Sequence, residues 1–117
     1  MRLTEVLDLL AYPTGTILRI NFRKFELGDP DTLAVTSPQK FLSKLSLLYG
    51  GDEKTAEALI FLTACTLVEM GMNANPYEFL RAFKEGNVEM ITSWLKSVEE
   101  LIKDRESRRP GRTLTDP

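Results

Sequence analysis

Histidine is absent from this chain of 117 residues, and cysteine occurs once, as Cys65. The absence of histidine removes the most common general base and the most common protein ligand of metal ions. Cys65 lies in the apolar run 59–65, which indicates a buried and unreactive thiol rather than a nucleophile. Glycine motifs that hold phosphates are missing as well. The sequence therefore predicts a protein that is not an enzyme and that uses no metal and no cofactor.

Long apolar runs and a strong excess of one charge are also lacking. The longest apolar window, 58–65, is much shorter than the roughly 20 residues of a membrane-spanning helix. The net charge is only −2, which is not typical of a nucleic-acid binder that is basic overall. A single unpaired cysteine is typical of a reducing compartment. We therefore expect a cytoplasmic protein that does not enter a membrane.

The first third of the chain combines a helical pattern with a strand pattern. Residues 2–11 carry apolar side chains at helical spacing. Residues 18–23 alternate between apolar and polar side chains, as in a strand with one buried face. A Gly-Asp-Pro-Asp turn at 28–31 and a short β-branched segment at 32–36 follow. These patterns predict a short N-terminal helix and then one β-hairpin at about residues 16–36.

The remainder of the chain has the pattern of a helical bundle. Capping residues and glycine or proline breakers delimit about four further helices, at 38–48, 53–70, 76–85 and from 88 to about 106. The helix at 53–70 is apolar nearly all the way round, which predicts that it lies at the centre of the fold. The predicted fold class is thus α+β, mostly helical. Residues 1–106 form the single predicted domain, and residues 107–117 a flexible basic tail.

Two groups of residues are candidates for contact with a protein partner. Trp94 and Leu101 widen the apolar stripe of the last helix beyond what one supporting contact requires, which predicts an interface there. Arg108, Arg109 and Arg112 form a basic cluster in the tail, which is equally compatible with binding to an acidic partner and with a solvated tail.

A third group, Arg19, Arg23 and Lys24, is the candidate for binding nucleic acid. On the predicted strand, Arg19 and Arg23 share one face, where side chains two residues apart stand about 6.6 Å from each other. Such spacing suits the phosphates of an extended single strand. The exposed face of any strand shows the same alternation, however, and residues 51–104 carry ten acidic side chains against five basic ones. Nucleic acid is therefore a possible but disfavoured partner.

The function that these patterns predict is a non-enzymatic interaction or assembly subunit that binds protein, including copies of itself as a homo-oligomer. The architecture over residues 16–106, a hairpin followed by helices, resembles the tail assembly chaperones of tailed phages. That resemblance implies a role in viral or multi-subunit assembly. The alternative is a nucleic-acid-binding small subunit of a ribonucleoprotein complex such as a CRISPR effector, which would use Arg19, Arg23 and Lys24.

Overall fold

A computed structural model of the protein describes residues 1–107. These residues form helices joined by short turns, and they contain no β-strand. The helices are α1 (Leu3–Ala11), α2 (Thr14–Lys24), α3 (Pro30–Thr36), α4 (Pro38–Leu47), α5 (Glu53–Glu69), α6 (Pro76–Glu85) and α7 (Val88–Ser107). The predicted α+β class is therefore wrong, because the described part of the chain is entirely helical.

The predicted β-hairpin at 16–36 is replaced by α2 and α3. Leu18 and Phe22 are buried, whereas Ile20 is 57% exposed. In a strand all three side chains would share one face, but in a helix residues 18 and 22 lie one turn apart and residue 20 points elsewhere. The alternation at 18–22 has the two-residue period of a strand, but Leu18 and Phe22 are also spaced as neighbours on one side of a helix. In the folded chain, tertiary packing favours the helix.

The predicted turn at 28–31 is the start of α3. The Asp29 carboxylate accepts a hydrogen bond from the backbone N–H of Asp31 at 3.3 Å, and Pro30 occupies the first helical position. Aspartate followed by proline is a turn signal and also a helix N-terminus signal. The segment therefore interrupts the chain where predicted, but a helix follows it in place of the predicted second strand.

The five helices predicted outside this segment are confirmed, with ends that agree within a residue or two. Asp52 caps α5 by accepting hydrogen bonds from the backbone N–H groups of Lys54 and Thr55. Asn75 caps α6 in the same way through the N–H of Tyr77, 2.9 Å away. Such caps satisfy donors that a helix leaves unpaired in its first turn. Local capping chemistry thus sets these boundaries.

A continuous chain of aromatic rings runs through the core and joins four helices. Phe22 of α2 stacks on Phe41 of α4 with ring centroids 5.8 Å apart, and Phe41 contacts Phe83 of α6 at 5.7 Å. Phe83 meets Phe79 edge to face at 5.1 Å, and Phe79 lies 4.4 Å from Trp94 of α7. All five side chains are buried. Their contacts fix how α2, α4, α6 and α7 pack together.

Helices α1 and α2 approach closely at Gly15. A Cβ atom added to Gly15 would lie 1.8 Å from the carbonyl oxygen of Thr4, which is far inside van der Waals contact. Only glycine is therefore compatible with this packing of α2 against α1.

Helix α5 is not central, so that part of the prediction is wrong. It packs on α4 and α6, with a smaller contact to α1. Ile60, Ala64 and Leu67 are buried on this side. On the opposite side Leu62 is 61% exposed and Cys65 is only half-buried. The helix is apolar all round because it has two apolar faces, of which one is covered within the described residues.

Two alanine substitutions on α5 distinguish these faces. We expect Ile60→Ala to lower the free energy of unfolding by about 2–5 kcal/mol, because it removes a fully buried side chain and leaves a cavity. Leu62→Ala should cost less than about 1 kcal/mol, because most of Leu62 is already in water. Denaturant titration of dilute protein measures both values. Equal losses for the two variants would contradict the assignment of the exposed face.

Candidate interaction surfaces

The basic residues predicted to contact nucleic acid lie on α2 and not on a strand. Arg19 and Arg23 are one helical turn apart, and α2 contains no acidic residue. Arg23 and Lys24 are exposed, with the Lys24 ammonium 5.7 Å from the centroid of the Phe25 ring. Arg19 is different, because its guanidinium points back into the protein.

Arg19 belongs to a polar cluster that joins the first three helices. One of its nitrogens donates a short hydrogen bond to the Thr4 hydroxyl, and the other lies 3.2 Å from Thr16 Oγ1 and 3.3 Å from Asp8 Oδ2. The Asp31 carboxylate accepts from the Thr4 backbone N–H at 2.9 Å and from the Thr4 hydroxyl at 2.7 Å. Thr4 and Asp31 are buried. The hydroxyl of Thr4 thus bridges two charged groups of opposite sign.

This cluster changes what Arg19 can do. A guanidinium that already donates to Thr4, Thr16 and Asp8 is held in place and has fewer donors left for a phosphate. Sequence reasoning missed the cluster, because its partners are separated from one another by up to 27 residues. No local spacing connects them. A nucleic-acid contact through Arg23 and Lys24, the two exposed cations, stays a prediction.

The groove beside these cations carries charges of both signs. A shallow groove of about 420 Å³ runs past Arg19 and Arg23, but Glu26 and Asp29 line it as well. The two carboxylates balance the two guanidinium groups, so the groove has no net positive charge to attract a phosphate.

Trp94 is placed in the core and Leu101 at its margin. Trp94 is only 7% exposed and packs on Phe79, and Leu101 is half-buried. Both line a groove of about 460 Å³ between α7 and the turn at 71–74, together with the polar side chains Ser93 and Ser97. The surface that Trp94 offers is small. A partner contact here remains a prediction that depends mainly on Leu101.

The tail arginines Arg108, Arg109 and Arg112 lie outside the described residues. Ser107, the first residue of the predicted tail, is the last residue of α7. Two residues earlier, the Arg105 guanidinium donates to the Met70 carbonyl oxygen at 3.1 Å. This contact satisfies a backbone acceptor at the end of α5.

Sequence reasoning also missed two exposed apolar surfaces. The outer α2 face comprises Ile17, Ile20 and Lys24, and the exposed Phe25 follows directly after the helix. Ile17 is 50% exposed. A helix of a soluble monomer normally buries its apolar residues on one side. Among the residues that the structure describes, α2 presents Ile17 and Ile20 to water.

The second surface is the open α5 face, on which Leu62 is the large apolar side chain exposed to water. It comprises Lys54, Thr55, Ala58, Leu62, Cys65, Thr66 and Glu69, which fall on one side of the helix at the spacing of successive turns. Phe61 flanks it and contacts the exposed Tyr77 of α6, with the two rings tilted by 51° and their centroids 4.8 Å apart. The middle of this face, from Ala58 to Cys65, carries no charge.

Within residues 1–107, no three acidic or cysteine side chains lie close enough together to hold a metal ion. None of the helices described there has the length and apolarity to cross a bilayer. Comparison with protein-family models, with curated proteins and with solved structures finds no match to this chain. The resemblance to tail assembly chaperones was based in part on a β-hairpin, and residues 1–107 contain no β-strand.

The carboxylate of Asp8 has a perturbed titration. Desolvation raises its pKa, but hydrogen bonds from the side chain and backbone of Thr16 and the charge of Arg19 outweigh this effect and hold the pKa below the ordinary value of 3.8. The folded state therefore favours ionised Asp8 more strongly than the unfolded state does.

Replacement of Arg19 and of Arg23 should affect stability differently. We expect Arg19→Ala to cost about 1–3 kcal/mol of unfolding free energy, because it removes the donor to the buried Thr4 hydroxyl and the cation paired with Asp8. Arg23→Ala should change it by less than about 0.5 kcal/mol, since the side chain is exposed. Thermal or chemical denaturation measures both. Equal stability of the two variants would argue against a structural role for Arg19.

Replacement of Asp8 should reduce the acid sensitivity of the fold. Since the pKa of Asp8 is lowered by folding, its contribution is present above the unfolded pKa and is lost as the pH falls through the folded value. We expect the decrease in unfolding free energy below about pH 4 to be shallower for Asp8→Asn than for the parent protein. The exposed Glu85, substituted as Glu85→Gln, is the control. An unchanged slope for Asp8→Asn would show that the cluster does not hold this charge.

Proposed function

We propose that this chain is a non-enzymatic assembly subunit that binds protein through exposed helix faces and associates with copies of itself. The observation that carries the proposal is that α2 and α5 each bury one apolar side and expose another. On these exposed sides Ile20 and Leu62 are more than half accessible. Exposed apolar residues grouped in this way mark interaction surfaces more often than isolated ones do. A reducing, cytoplasmic setting suits the unpaired Cys65.

Charge supports a protein partner over a nucleic acid. Arg19 is engaged within the chain, which leaves two exposed cations on α2, and the adjoining groove contains Glu26 and Asp29. A site that tracks a phosphate backbone needs several cations along one path. The ribonucleoprotein alternative therefore depends on Arg23 and Lys24 together with the tail arginines.

Sedimentation across a concentration series tests the proposal. We expect the average mass of the full-length chain to rise above that of the monomer as the concentration increases to about 1 mM, the range of weak association. A mass that stays at the monomer value throughout would overturn self-assembly as the function.

A titration with single-stranded RNA and DNA addresses the alternative. We expect weak, non-saturating binding that Arg23→Ala/Lys24→Ala barely changes. Arg19 is left intact in this variant, so that its stability is preserved. Saturable binding at physiological salt that falls steeply with added salt and is lost in the double variant would instead favour the ribonucleoprotein subunit.

A further inference from the structure

We propose that the open α5 face pairs with the same face of a second copy of the chain, with the two helices antiparallel about a two-fold axis near Leu62. This inference rests on the proposed function and specifies the surface, the partner and the orientation. It is argued from the order of charged and apolar residues along α5.

The order of residues on the open α5 face is nearly symmetric. Lys54 lies at one end and Glu69 at the other, and the midpoint between them falls between Phe61 and Leu62. In an antiparallel pair centred there, Leu62 meets its own copy and Ala58 lies opposite Cys65. Such a face is complementary to itself, which is what a two-fold interface requires.

The charges at the two ends fit this arrangement. Lys54 of one copy would lie opposite Glu69 of the other, and the two-fold axis forms this pair twice. Neither side chain makes an ion pair within residues 1–107. Glu57, by contrast, is paired with Lys84 at 3.6 Å. Lys54 and Glu69 are therefore available for ion pairs with a second copy, and they lie at opposite ends of the face.

These charges are placed unfavourably for an isolated helix. Lys54 is in the first turn of α5 and Glu69 in the last, where the helix dipole favours an anion and a cation respectively. An antiparallel partner compensates both, because it brings the opposite charge to each end. The pairing also requires a shallow crossing, close to the roughly 20° found in four-helix bundles, since a steep crossing would separate the ends.

The size of the face predicts a weak dimer. A helix of 17 residues is about 25 Å long, and the exposed Tyr77 ring extends the contact on one side only. One pair of helices of this length lies at the small end of specific interfaces, below about 1,200 Å² in total. We therefore expect a dissociation constant in the micromolar range, about 1–100 µM.

Substitution of Leu62 tests the surface, and Ile20 provides a matched control. Leu62 and Ile20 are 61% and 57% exposed, so glutamate at either position leaves the monomer core intact. We expect Leu62→Glu to abolish the dimer in sedimentation and Ile20→Glu to leave it unchanged, while both keep the helical circular dichroism of the parent. Loss of the dimer in Ile20→Glu alone would overturn this inference and retain the proposed function, with the outer α2 face as the interface. A parent chain that never dimerises would overturn both.

Charge exchange tests the antiparallel orientation. Lys54→Glu and Glu69→Lys should each raise the dissociation constant about ten-fold at low salt, because each creates two like-charge contacts across the axis. Neither change should weaken α5 itself, since each agrees with the helix dipole. The double exchange should restore the parent affinity. Single variants that bind like the parent, or a double variant that stays weak, would overturn the antiparallel pairing.

Cross-linking tests the position of the axis. In a Cys65→Ser background, Leu62→Cys should form an intermolecular disulfide rapidly under copper-phenanthroline oxidation, because the two copies of this position meet at the axis. Glu69→Cys in the same background should not, since its two copies would lie about 22 Å apart along the helices. Faster cross-linking at position 69 than at position 62 would point to a parallel pair and overturn the proposal.

Discussion

The arrangement of the first three helices depends on Thr4. Its hydroxyl accepts a hydrogen bond from Arg19 and donates one to Asp31, so a side chain without exposed surface links α1 to both α2 and α3. Its carbonyl oxygen occupies the position that a side chain at Gly15 would need. Asp31 is buried and accepts hydrogen bonds from both the backbone N–H and the hydroxyl of Thr4, so loss of the Thr4 hydroxyl would leave a buried carboxylate with one donor fewer.

The aromatic core begins beside this polar cluster. Arg19 and Phe22 are on neighbouring sides of α2, where Arg19 contacts Thr4 of α1 and Phe22 stacks on Phe41 of α4. From there the rings continue through α6 to Trp94. Helix α2 thus uses one side for hydrogen bonds and the next for packing. Its remaining side, with Ile17 and Ile20, contributes to neither and faces water.

The sequence predicted those features that local chemistry determines. Asp52 and Asn75 mark helix starts because their side chains satisfy donors within three residues. The pattern of Leu18, Ile20 and Phe22 has the period of a strand and also contains the i, i+4 pair of a helix, and Phe22 packs on Phe41, which is 19 residues away in the sequence. The Thr4 cluster involves separations of up to 27 residues, so no spacing in the sequence signals it. The inward role of Arg19 was therefore unpredictable, as was the burial of Trp94 against Phe79.

Helix α5 shows a different kind of discrepancy. Its apolar residues surround the helix, and from this we expected burial on all sides at the centre of one chain. Ile60 and Ala64 are buried within the chain, as expected, but Leu62 is exposed. No helix within residues 1–107 covers the open α5 face, where Leu62 is 61% exposed. Periodicity reports that a face is apolar without specifying whether its partner is in the same molecule. In the proposed dimer the second apolar face of α5 would be covered by the other copy, and the opposite charges of Lys54 and Glu69 would set the antiparallel orientation of the two helices.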